Sequence, residues 1–223
     1  MKNILITASL LISGLWSAQQ VTWNEVAGTH NNSDKFLYRI TETTGATYLG
    51  EVEVQGFTTD DAAVFGKVYE KAREVGANVF FYQPFQSIDE SESAFDPAHY
   101  KLRLYYLSPE RLPKDENTLY IYASPARGQK ISFNKEEVYF EPRTFTKRKL
   151  MHGEEYILST RKLLGSSVRF SVLPDSSPQF FQLHGFHLKS SPYGAAGINL
   201  KSGDIIRLER SFADFLSVIY REF

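Results

Sequence analysis

Cysteine is absent from the 223 residues. That excludes a disulfide scaffold, a thiolate zinc site, an iron–sulfur cluster, a cysteine nucleophile and a lipid-bearing cysteine. An excess of one charge is missing too: 25 Lys+Arg stand against 26 Asp+Glu, a net of −1. A nucleic-acid partner held by phosphate neutralisation is therefore not expected. Catalytic signatures are also lacking. There is no G-x-S-x-G, no Walker A loop, no G-x-G-x-x-G and no H-E-x-x-H. S-x-x-K occurs at Ser132–Lys135 and Ser159–Lys162, but 21 Ser and 13 Lys make such matches common by composition, and the companion K-T-G is missing. No catalytic residue, metal ligand set or cofactor is assigned.

What is present begins with an address. Met1-Lys2-Asn3 gives a positive start, Ile4–Trp16 is apolar, and Ser17-Ala18 supplies small residues before Gln19-Gln20. This order reads as a signal peptide over 1–18, cut after Ala18 or Ser17. The apolar run falls short of the roughly 20 residues of a spanning helix, and no later run reaches that length. The mature chain is expected to be exported, in the periplasm or outside the cell, without a transmembrane segment.

Aromatic residues are abundant, with 17 Phe and 13 Tyr, and they mark strands. Over 19–107, strands are expected at Lys35–Thr41, Thr47–Gln55, Asn78–Phe85 and Tyr100–Leu107. A helix follows the capping run Thr58-Thr59-Asp60-Asp61, because Phe65, Val68, Tyr69, Ala72 and Val75 form one apolar stripe that ends at Gly76. The first module is thus strand, strand, helix, strand, strand, with an exposed acidic loop at Gln86–His99. Residues 108–117, with two prolines and alternating charge, read as a linker.

From 118 to 223 the pattern is of short strands separated by Pro and Gly: Thr118–Ala123, Lys130–Phe133, Glu137–Glu141, Thr144–Met151, Glu155–Thr160, Ser167–Leu173, Gln179–Leu188 and Asp204–Glu209. They predict an antiparallel, β-sandwich-like domain, so the chain as a whole is α+β. The tail 211–223 reads as a helix through Phe212, Phe215, Leu216 and Ile219, with a final strand as the alternative. Charge is split: 9 basic and 16 acidic residues over 19–117, against 15 basic and 10 acidic over 118–223.

Gly50–Tyr82, with Ala72-Arg73-Glu74-Val75-Gly76-Ala77-Asn78 at its centre, resembles small bacterial envelope domains. Among these are the RcsF-like envelope-stress sensors and the YbjQ-like domains, sometimes labelled heavy-metal-binding. The resemblance covers about 33 residues and implies an α/β envelope module. It implies no sensor function, since the cysteines on which RcsF-like proteins rely are absent here.

Other clusters are few. His184 and His187 have i, i+3 spacing on an expected strand, which sends them to opposite faces. Asp89, Glu90, Glu92 and Asp96 form an acidic run without the spacing of a calcium loop. The candidate binding residues are Arg143, Lys147, Arg148 and Lys149, expected along one strand, and Tyr193 at the tip of the small-residue loop Ser190–Gly197. Such a basic run suits an acidic polysaccharide or lipid headgroup; it also serves as a charged edge strand that resists sheet-to-sheet aggregation. The expected function is non-enzymatic binding or structural interaction in the envelope, with an envelope protein or a glycan as partner. A secreted hydrolase built from distant carboxylates or histidines is the alternative.

Overall fold

The computed structural model describes residues 20–85, 95–160, 165–184 and 204–223. It is an α+β protein with three sheets and two α-helices among these residues. The first sheet contains β1 (Gln20–Val26), β2 (Tyr38–Ile40), β3 (Thr47–Gln55), β4 (Val79–Gln83) and β5 (His99–Tyr106), ordered β1-β3-β5-β4-β2. Helix α1 (Asp61–Val75) lies on one face of it. Alternation decides which face is covered: Val52, Val54, Leu102 and Leu104 turn inward onto Val64, Phe65, Val68 and Ala72. Glu51, Glu53, Lys101 and Arg103 turn to the other face.

Both ends of α1 follow from the sequence. Asp60 caps the start by accepting from Ala63 N–H at 3.1 Å. Gly76 ends the helix at φ 73°, with its N–H directed to the Ala72 and Arg73 carbonyls. A Cβ there would lie 1.7 Å from the His30 carbonyl oxygen, so glycine is required by conformation and by space. Strand β1 is the element that the sequence reading did not include. It offers only Val21 and Trp23 to the apolar cluster and pairs on one side alone, with β3. At the other edge, the expected strand Lys35–Thr41 is reduced to the three residues of β2.

The second half holds two sheets. Strands β7 (Gln129–Phe133), β8 (Glu136–Phe140), β10 (Glu155–Ser159) and β11 (Ser167–Ser171) form one, in the order β11-β10-β7-β8. Strands β6 (Thr118–Tyr122), β9 (Thr144–Lys149), β12 (Gln179–Leu183), β13 (Ile205–Arg207) and β14 (Arg221–Glu222) form the other, in the order β13-β12-β6-β9-β14. The sheets share one apolar cluster that includes Leu119, Ile121, Ile131, Phe140, Leu158, Phe181 and Leu183. The expectation of a wholly antiparallel half is corrected: β12 pairs with β6, and β14 with β9, in parallel. For β14 the cause is the C-terminal helix α2 (Arg210–Ile219), a crossover from β13 that brings the chain back to the sheet in the same direction; β12 reaches β6 only after the intervening β7–β11, so no hairpin fixes it antiparallel. The tail is therefore helix and then a two-residue strand, so both readings of it hold in part. No helix among the described residues is long and apolar enough to cross a membrane.

Helix α2 also ties the halves together. Ala213, Phe215, Leu216, Val218 and Ile219 belong to the same buried cluster as α1 and the first sheet, and Tyr122, Phe145 and Phe180 join it from the β6 sheet. The segment 108–117, expected as a linker, carries a short 3-10 turn at Pro109–Arg111. The halves on either side of it share this one core.

Candidate functional site

Period-two alternation divides the basic run. In the β6–β9 register, Thr118 lies opposite Lys149, Leu119 opposite Arg148, and Tyr120 opposite Lys147. Lys147 and Lys149 thus share a face with Thr118 and Tyr120, while Arg148 shares the opposite face with Leu119. Arg143 is not on the strand at all. It stands one residue before β9 at φ 54°, and its guanidinium points into the protein. The expectation of four cations along one strand is corrected to two on one face. Tyr193 lies outside the described residues, as do His187, Asp89, Glu90 and Glu92.

Among the described elements, α2 covers one end of the shared face. Around Tyr122, Phe145 and Phe180 it is apolar and sealed by the helix. Toward Thr118 it opens into a depression of about 460 Å³ lined by Asp115, Thr118, Tyr120, Lys147 and Lys149. Tyr120 forms the floor, its ring 5.1 Å from that of Phe180. Its hydroxyl donates to Asp115, which also accepts from Thr118 Oγ1 at 2.9 Å. Burial and then the Asp115 hydrogen bond push the Tyr120 hydroxyl up, so it is a neutral donor at ordinary pH.

The two ammonium groups stand at the rim. Lys147 Nζ is 3.0 Å from Glu222, and both side chains are about half exposed. Lys149 Nζ donates to the Glu116 carbonyl at 2.5 Å. Such exposed pairs are worth little, about 0–1 kcal/mol, so an incoming acidic group can compete with Glu222 for Lys147. Strand β14 pairs with β9 only at Thr144 and Phe145. Beyond them, no described strand pairs with the edge carrying Lys147, Arg148 and Lys149, which also fits the charged-edge reading of this run.

Among the described residues the remaining candidates do not converge on one place. Among the described residues Asp115 is the single carboxylate lining the depression, and two hydroxyls already engage it. Among the described residues no group of three or more His, Asp or Glu is placed to hold a metal ion. His184 is half-buried beside Gln182, and burial holds its pKa down. A second, smaller depression of about 200 Å³ lies between Tyr139, Glu141, Thr144, Arg221 and Phe223. Arg221 and Glu141 are paired with each other there at 2.5 Å.

The fate of Arg143 has no signal in the sequence. Its Nη2 lies 2.6 Å from Asp61 and 2.8 Å from the Thr58 carbonyl, and Tyr220 donates to the other Asp61 oxygen at 2.8 Å. Burial pushes the Asp61 carboxyl up despite the opposing pull of Arg143 and Tyr220. These partners lie 82 and 159 residues from Asp61 in sequence. No protein-family model, no curated protein and no solved structure matches this chain.

Proposed function

We propose that this is an exported, non-enzymatic binding protein of the bacterial envelope that holds an acidic glycan chain at the Lys147–Lys149 depression. The observation that carries the reading is the placement, among the described residues, of two rim ammonium groups beside a tyrosine floor and the buried Thr118 hydroxyl in one depression. Cations suit the acidic groups of such a chain, while Thr118, Asp115 and Tyr120 suit its hydroxyls. The N-terminal leader and the resemblance of Gly50–Tyr82 to small envelope domains support the location. The two sheets of the second half, which share one apolar cluster, are read as a sandwich-like module presenting the site. Among the described residues this depression holds one carboxylate, Asp115, which gives the hydrolase alternative no pair there.

The test uses the mature chain on immobilised alginate and on uncharged dextran at low salt. Retention is expected on the acidic matrix alone and weakens as salt screens the contacts. Lys147→Gln with Lys149→Gln weakens it about tenfold, from two exposed contacts of about 0.7 kcal/mol each. Arg148→Gln, on the other face, leaves it unchanged. Equal retention of all forms, or retention on dextran, contradicts the proposal.

A further inference from the structure

An edge strand leaves a row of backbone groups without a sheet partner, and β2 is such an edge. Tyr38 N–H turns toward the β4 side and donates to the Asn78 carbonyl at 2.8 Å. The alternate groups turn outward, where α2 receives them. Leu37 N–H donates to Ser211 Oγ at 3.1 Å, and Arg39 N–H to Asp214 Oδ2 at 3.3 Å. The Arg39 side chain follows, donating through Nη1 to the Ser217 carbonyl at 2.8 Å. Ser211, Asp214 and Ser217 recur every three residues, so one side of α2 substitutes for the missing strand. This contact joins the first half of the chain to the second.

Asp214 is the only carboxylate in that row. It faces Arg210 from its own helix, Arg39 and Tyr38 from β2, and Tyr120 and Tyr122 from β6. Its compensation is thin for an ion. Arg210 Nε is 3.6 Å away, and that guanidinium is also committed to the Pro113 carbonyl at 3.2 Å and to the Tyr38 ring at 4.7 Å. The Asp214 side chain is only 16% exposed. We propose that the contact of α2 with β2 is a proton-operated joint between the halves, tight when Asp214 is protonated and looser when it is ionised. The neutral acid still accepts from Arg39 N–H through its carbonyl oxygen, so the hydrogen-bonded row survives protonation.

Burial pushes the Asp214 carboxyl up to about 7, against the opposing pull of Arg210 and Arg39. An open joint returns it toward the ordinary value of about 4. The closed form therefore binds more protons than the open form. Raising the pH from about 4 to 7 loosens the joint, and above about 8, where both forms are ionised, nothing further changes.

The test is a carboxyl 13C NMR titration and a thermal profile of the mature chain, wild type against Asp214→Asn. Asparagine keeps an oxygen for Arg39 N–H and cannot ionise. Every other ionisable side chain is common to both proteins, so the difference between them isolates Asp214. A carboxyl with a midpoint near 7, missing in the variant, is expected. Between pH 4 and 7 the variant should gain about 8 °C in Tm relative to wild type. Hydrogen-exchange protection at Leu37 and Arg39, corrected for intrinsic rates, should fall over the same range in wild type alone. Parallel profiles in the two proteins, or no carboxyl titrating above pH 6, overturn the joint. Should the variant not fold, the wild-type titration and amide protection decide the matter by themselves.

Discussion

Exchange of Arg143 for methionine is expected to destabilise the protein by about 3–5 kcal/mol, the range for removing one partner of a buried ion pair. For a chain of this size that lowers Tm by about 10 °C. Asp61 is 6% exposed, and the Arg143 side chain closes over it, with its guanidinium 4.9 Å from the Phe57 ring and 5.7 Å from that of Tyr220. Methionine fills part of that space and supplies no charge, so among the described residues the carboxylate keeps the Tyr220 hydroxyl as its one side-chain hydrogen-bond donor. The deficit has a pH sign. Loss of the cation raises the folded-state pKa of Asp61 beyond the upward push of burial. The variant is therefore least impaired at acid pH, where the group is neutral, and most impaired above the raised value. Adding Asp61→Asn should recover part of the loss, because the buried ion is then gone. Thermal unfolding of the two variants at pH 5 and pH 8 checks both points. A loss below about 1 kcal/mol would show that Arg143 is free for a ligand, as the sequence alone suggested.

Phe215→Ala carries the second large effect, again about 3–5 kcal/mol. Phe215 is fully buried on α2, and its ring lies 5.5 Å from that of Phe65 on α1. The cavity opens where the two halves meet, so the whole chain should respond together. Calorimetry is expected to show a single transition in wild type and a single, earlier one in the variant. Two transitions, with one insensitive to Phe215→Ala, would mean that the halves fold as independent domains.

Most elements were legible wherever one face alternates. Helix α1 was readable because its stripe, its Asp60 cap and its Gly76 terminus all speak within 17 residues. The short strands of the second half were readable from turn residues at their ends. Strand β1 escaped because an edge strand needs apolar residues on one side only, and it offers two. The parallel pairings escaped because they join strands distant in sequence, β12 to β6 across β7–β11 and β14 to β9 after the crossover through α2. At the site, Lys147 and Lys149 were identified as candidates, and alternation already contained the separation of Arg148 from them. The burial of Arg143 was not contained there. It depends on Asp61 and Tyr220, which only the fold brings within 3 Å of one another's partners. Asp115, Thr118 and Tyr120 were missed because, taken singly, they read as linker and strand.

Zero-length carbodiimide coupling in the intact envelope of the native host tests the binding claim most directly. It joins an amine to an acidic group only where the two are in contact. The expected product is a glycan conjugate mapped to the peptide containing Lys147 and Lys149, and it should be lost in the double glutamine variant. Coupling of Lys147 to Glu222 alone, or a stoichiometric protein partner with no glycan on that peptide, would contradict the account.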